Sequence, residues 1–271
     1  MNLVIKVFSF ILLISLFAVS SCDVLDSGSD DDDFDPGADL YHLCEVESGD
    51  YSVDVWSQNP LETAYSSIYL EVQDADSGDL VEQADINLTP MMDMGEHQHA
   101  APVWQPEASA DSETGLFAGA VIPTMPGGDM GSWYLEWEID GESHSTMGDC
   151  AVDVANAPNV KVFTAENDEQ YILTWIEPET PETGSNDFVV TLHHQESMME
   201  YPAVEELDLE LKPWMGSMDH GSEGNEHPES IGDGFYEGVV NFNMSGDWEV
   251  YVSLFDDDDE LYEAEFEIEV E

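Results

Sequence analysis

The sequence predicts an all-β protein: two tandem immunoglobulin-like β-sandwich domains after a signal peptide and an acidic tether. Three observations carry this. Short segments that alternate, or that are rich in β-branched and aromatic residues, recur between Gly/Asp/Ser turns. No stretch beyond the N-terminal apolar run places its apolar residues at helical spacing. The chain also repeats itself, because an ordered series of short motifs in its first half returns in its second.

At the N-terminus, Lys6 precedes an apolar run from Val7 to Val19. The run is short for a bilayer span and reads as the h-region of a signal peptide. It ends in Val19-Ser20-Ser21-Cys22, which resembles a bacterial lipobox. Residues 1–21 are therefore read as a lipoprotein signal peptide, with Cys22 as the lipidated residue of the mature chain. An ordinary cleaved signal with an incidental cysteine is the other reading. Residues 22–40 are acidic and poor in hydrophobic side chains, as a solvated tether would be. The expected location is the cell envelope, held to a membrane by the lipid and facing the periplasm or the cell surface.

The charge balance is extreme, with 62 acidic residues against three lysines and no arginine. Loss of Lys6 with the signal leaves 2 − 62 = −60. Nothing here can neutralise phosphates, so nucleic acid is excluded as a partner class. Acid is spread along the chain rather than gathered in a tail, which fits an exported, halophilic acidic protein whose self-repulsion is screened by salt. A polycation- or calcium-binding surface is the rival reading.

The first domain is placed at residues 41–155 and the second at 156–271. Pro90-Met91-Met92 matches Pro213-Trp214-Met215, and Glu96-His97 matches Asp219-His220 at the same offset of 123. Gly115-Leu116-Phe117-Ala118-Gly119 matches Gly234-Phe235-Tyr236-Glu237-Gly238, offset 119. Trp133 falls on Trp248, offset 115. The order is kept while the offset drifts by short indels, which marks a tandem duplication. Strand signals lie at 67–72, 116–122 and 132–139, then at 161–164, 171–176, 187–192, 206–211, 235–242 and 248–254. Roughly seven short strands per 110–120 residues suits a sandwich, with a barrel as the alternative. Cys44 and Cys150, near the two ends of the first domain, are a candidate disulfide in an exported chain.

The stretch "YSSIYLEVQDADSGDLVEQADINLTPMMDM…H" followed by "GLFAGAVIPTMP…W" resembles the FixH-like/YtkA-like domain family, as does "LELKPWMGSMDHG…GFYEGVVNFNMSGDWEV". The resemblance covers roughly residues 45–271 and is similar to tandem-domain lipoproteins of the Bacteroidota type. It implies an exported β-domain and, through the FixH name, a link to copper handling and cytochrome oxidase assembly. FixH proteins are held by a membrane helix, whereas this chain reads as lipid-anchored.

The residues point to copper independently. Thioether and imidazole together suit soft Cu(I). The first Met/His loop offers Met91, Met92, Met94, His97 and His99; the second offers Met215, Met218, His220 and His227. Met92 and Met94 share a face of an extended strand and Met91 points away. By the motif alignment His99 has no counterpart. Met125 and Met244 precede the repeated tryptophans and read as core, while Met198-Met199 and His193-His194 read as structural. Methionine also fills irregular gaps, so packing is the competing account of both loops. Pro90 and Pro213 are expected to end the strands before them. Asp74-x-Asp76-x-Gly78 reads as a hairpin turn rather than a calcium loop, for want of a distal bidentate glutamate. No catalytic motif is present and no enzyme activity is expected. Two functions remain: a lipoprotein that binds or handles Cu(I), and a non-catalytic interaction module that contacts another envelope protein.

Overall fold

A computed structural model describes residues 40–140 and 145–271. Residues 1–39, which hold the expected signal peptide, Cys22 and all but the last residue of the expected tether, lie outside the described residues. All regular structure described is β.

The first sandwich is built from β1 (Tyr41–Ser48), β2 (Tyr51–Ser57), β3 (Ser66–Asp74), β4 (Asp85–Asp93), β5 (Gln98–Ala100), β6 (Val103–Trp104), β7 (Phe117–Val121), β8 (Ser132–Asp140) and β9 (Ser145–Val152). The second uses β10 (Val160–Thr164), β11 (Gln170–Glu177), β12 (Gly184–His194), β13 (Asp208–Met215), β14 (His220–Gly221), β15 (Glu226–Gly232), β16 (Phe235–Phe242), β17 (Gly246–Asp256) and β18 (Asp259–Val270). The sheet orders are β1-β2-β3-β7-β6 and β5-β4-β8-β9 in the first half. In the second they are β10-β11-β12-β16-β15 and β14-β13-β17-β18. Each half repeats the other strand for strand, so the duplication is one of architecture as well as of sequence.

Alternation explains the layers. In β8, Trp133, Leu135, Trp137 and Ile139 are buried while the residues between them are not. β17 repeats this with Trp248, Val250, Val252 and Leu254. These side chains meet the inner faces of β2, β3 and β7 in one core, and of β11, β12 and β16 in a separate second core. Cys44 of β1 and Cys150 of β9 are joined by a disulfide that ties the two sheets of the first sandwich across their shared side.

Pro90 and Pro213 do not end their strands. They sit inside β4 and β13, paired with Leu135 and Val250. The reason lies two residues earlier. The Leu88 N–H points away from β8 and is taken by the Gln105 side-chain oxygen at 2.7 Å. The Leu211 N–H is taken likewise by His227 Nδ1 at 2.9 Å. Residues two apart in a strand direct their N–H groups to the same side, so each proline nitrogen faces the sheet edge, where no ladder donor is lost. The turn after Asp74 folds back as a hairpin, with its carboxylate accepting the Asp76 and Ser77 N–H groups.

The two sandwiches meet through a small cluster of rings beside the linker. Ala155 and Ala157 of the linker are pinned to the Leu61–Thr63 segment. Trp104 of the first sandwich lies against Phe235 and His193 of the second, with ring centroids 5.0 Å away in each case. Its indole N–H reaches the Asp233 carbonyl.

Candidate metal centre

The turn from β4 to β5 and the turn from β13 to β14 hold the Met/His stretches, and both prove to be hairpins. In the first, Met92 is opposite His99 on one side and Trp133 on the other. Directly opposed residues project to the same face of a sheet. The three side chains therefore stand in a row on the inner face. Met92 is fully buried, Trp133 is 1% exposed and His99 6%. The His99 and Trp133 rings meet at 5.6 Å between centroids, with planes at 88°.

His99 Nδ1 lies 2.7 Å from the carbonyl oxygen of Ala100. A carbonyl only accepts, so Nδ1 carries a proton and donates it. In the neutral ring the lone pair then falls on Nε2. Metal-ligating histidines are oriented in this way, with the outer N–H tied to a carbonyl or carboxylate.

The second hairpin is wired identically. Met215 is opposite His220. The Trp214–Glu249 pairing puts Met215 opposite Trp248 at the next step of the ladder. Met215 is 3% exposed and Trp248 1%. His220 is half-buried. The His220 and Trp248 centroids are 5.9 Å apart with planes at 77°. His220 Nδ1 donates to the Gly221 carbonyl at 2.8 Å.

Both tryptophans are fixed from below. Trp133 Nε1 donates to the Met125 carbonyl at 2.9 Å, and Trp248 Nε1 to the Met244 carbonyl at 3.0 Å. Gly131 and Gly246 precede them, with φ of 147° and 125°. A Cβ on Gly131 would fall 2.9 Å from the Met92 ε-methyl and 2.5 Å from the Asp93 carbonyl oxygen. A Cβ on Gly246 would lie 3.5 Å from the Met215 ε-methyl. At Gly131 the missing side chain lets the turn close over Met92, whereas at Gly246 a Cβ would only touch Met215 and the positive φ is what favours glycine.

The true counterpart of His220 is thus His99, not His97. The dipeptide match of Glu96-His97 to Asp219-His220 misleads because the first hairpin tip is two residues longer. Seven positions separate Met92 from His99, and five separate Met215 from His220.

The remaining candidates are not gathered. Met91 is buried on the opposite face, outside the core cluster. Met94 packs against that core from the tip. His97 is exposed at the tip, and Met218 is 58% exposed. His227 holds the Leu211 N–H with Nδ1, the part that Gln105 plays for Leu88, so the acceptor nitrogen of its neutral ring is already in use. Sequence reasoning passed over Met130, 55% exposed at the mouth of the first hairpin beside Gly131. The matching Gly-x-Trp of the two halves, with four extra residues before it in the first, was the available signal. Among the described residues no three His, Cys, Asp or Glu side chains come together in a way that could hold a metal ion. What the hairpins offer is thioether with imidazole.

Residues 165–253, most of the second sandwich, match the YtkA-like family model. No curated protein matches the chain. Among solved structures, domains 5–6 of the S-layer protein SbsC are 9% identical, covering 85% of this chain and 97% of that one at a TM-score of 0.30. Yersinia pseudotuberculosis InvD is 14% identical, covering 78% of this chain and 54% of that one at 0.26. Invasin, a bacterial integrin-binding protein, is 10% identical, covering 81% and 39% at 0.27. Likenesses this faint say nothing about what this chain binds.

Proposed function

We propose that this YtkA-like-domain protein is an exported, lipid-anchored, non-catalytic envelope protein that binds and passes Cu(I) through its two Met/His hairpins. The single observation that carries the reading is the repeated row of Met92, His99 and Trp133, and of Met215, His220 and Trp248. In each, the histidine N–H is spent on a neighbouring carbonyl, which turns Nε2 into an acceptor beside a methionine. Met92 with His99, and Met215 with His220, would hold the ion. Soft thioether and imidazole favour Cu(I). Met91, Met94, His97, Met218 and His227 are not among the paired ligands in this reading. Lipidation of Cys22 would place the hairpins in the envelope, within reach of a partner protein.

A second reading has its own support. Met92 and Met215 are core residues, so both hairpins could be built for packing and the protein could serve as an interaction module. Titration of Cu(I) into the protein lacking residues 1–22, against a competing chelator, separates the two. The copper reading expects two ions per chain with sub-nanomolar affinity, reduced to one by Met92→Leu/His99→Ala. Affinity no better than that of a scrambled Met/His peptide leaves the packing reading alone.

A further inference from the structure

The two hairpins share one ladder pattern but are not held equally. On the first, β5 carries His99 and is gripped from both sides. Its inner side pairs with β4 through Met91, Met92 and Asp93. On its outer side the Ala100 N–H donates to the Met198 carbonyl at 2.8 Å. Met198 belongs to the loop between β12 and β13, so the second sandwich closes the open edge of the first hairpin. That hydrogen bond is made by the peptide that follows His99, and the carbonyl of Ala100 is the one that fixes the His99 ring. On the second hairpin, β14 is two residues long and forms the end of its sheet, paired through Trp214 and Met215 alone. Exposure follows: His99 is 6% exposed, whereas His220 is half-buried.

We propose that the Ala100–Met198 hydrogen bond makes the first hairpin a clamped, slowly exchanging Cu(I) site and leaves the second an open, fast one. The proposal rests on the copper reading above for its ligand, but the clamp belongs to the fold and can be read without metal. Opening the first hairpin requires β5 to detach from the second sandwich as well as from β4. Opening the second requires a two-residue strand to fray up to Ser222, whose hydroxyl is held by the Asn241 carbonyl of its own sandwich, with no tie to the other sandwich at β14 among the described residues. The loop is suited to the part, since Met198 and Met199 are 46% and 50% exposed and present thioethers beside the clamped strand. The corresponding segment of the first sandwich, Ala75–Ala84, contains no methionine.

The test uses the protein lacking residues 1–22 in two measurements. Without metal, hydrogen exchange followed by mass spectrometry should show the 98–101 segment more protected than 219–222. Ala100→Pro removes the donor on the outer side while keeping the β4 ladder, and it should abolish that difference. Met198→Gly, which loosens the loop without touching the first sandwich, should reduce it. With Cu(I) loaded, transfer to excess chelator should have two phases. His220→Ala should remove the fast phase and His99→Ala the slow one. Ala100→Pro should speed the slow phase on the order of 2- to 10-fold, as loss of one hydrogen bond implies. Two ions released in a single phase, or a 98–101 segment no more protected than 219–222, overturns the clamp while the copper reading stands. Protection as expected with no copper bound keeps the clamp and overturns the copper reading.

Discussion

His99 and Trp133 meet at right angles across the fully buried Met92, and His220 and Trp248 repeat the contact across Met215. The repeat has a mechanical basis. Each tryptophan is anchored through its indole N–H to a methionine carbonyl, and each histidine through Nδ1 to the next carbonyl in its strand. Neither ring is free to turn away from the methionine between them.

Packing and ligation by Met92 can be told apart by shape. Met92→Ala should cost about 2–5 kcal/mol through the cavity it leaves, whatever the metal does. Met92→Leu conserves volume and should cost less than about 1.5 kcal/mol. Chemical denaturation gives the stabilities and chelator competition gives the copper affinity. The account expects Met92→Leu to unfold much like the parent yet lose tight binding at the first hairpin.

The disulfide should be a large contributor to the first sandwich. It closes a loop across a sequence separation of 106. In the chain-entropy view such a loop is worth about 4–5 kcal/mol. Replacing both Cys44 and Cys150 by alanine should lower the denaturation midpoint of the first sandwich far more than that of the second. Tryptophan-specific probes at Trp133 and Trp248 would report the two separately.

Acid should weaken the joint between the sandwiches through His193. Burial pushes its pKa down from 6.5 to about 4, and Nδ1 has no hydrogen-bond partner among the described residues. The unfolded state therefore takes up a proton between pH 6.5 and 4 that the folded state refuses. Stability attributable to this residue is unaffected above pH 6.5, falls as the pH drops through that window and levels off below 4. The full change is about 3 kcal/mol. Parent and His193→Phe should diverge accordingly in melting experiments between pH 7 and 4. Parallel profiles would show that the residue is not buried neutral.

Salt should raise the stability of the mature chain. Carboxylates face each other directly across strands at Asp247 with Glu269, Glu249 with Glu267, and Glu136 with Asp149. Burial, and then the charge of Asp149, raise the Glu136 pKa. The hydrogen bond from Tyr251 to Glu249, with the neighbouring carboxylates, pushes the tyrosine to about 12. Such pairs destabilise less as the Debye length shrinks from about 10 Å at 0.1 M salt to about 3 Å at 1 M. A melting temperature that stays flat or falls over that range would count against adaptation to a high-salt habitat.

The sandwich fold was legible wherever alternation was undisturbed. β8 and β17 are stated outright by SWYLEWEI and WEVYVSL, and the acidic run 256–259 reads as a hairpin tip, of which Asp257-Asp258 form the turn between β17 and β18. β18 alternates from Ala264 onward, after a register shift that puts Leu261 out of phase, and carboxylates at its outward positions make it look like a solvated run. Pro90 and Pro213 concealed the second half of β4 and β13, because whether a proline breaks a strand depends on which edge its nitrogen faces, and a sequence does not show edges. The candidate site was half legible. Met92, Met215 and His220 could be named from composition and repetition. The pairing of His99 with His220 could not, because it is set by hairpin register and not by neighbouring residues. The roles of Gln105 and His227 likewise depend on which strand borders an open edge.

X-ray absorption at the copper edge of the Cu(I)-loaded protein tests the central claim most directly. The account predicts a nearest shell containing both a nitrogen with imidazole outer-shell scattering and a thioether sulfur. The sulfur should be lost in the Met92→Leu/Met215→Leu protein and the imidazole signal in the His99→Ala/His220→Ala protein. A shell of oxygen alone, or one unchanged by either pair of substitutions, would contradict it.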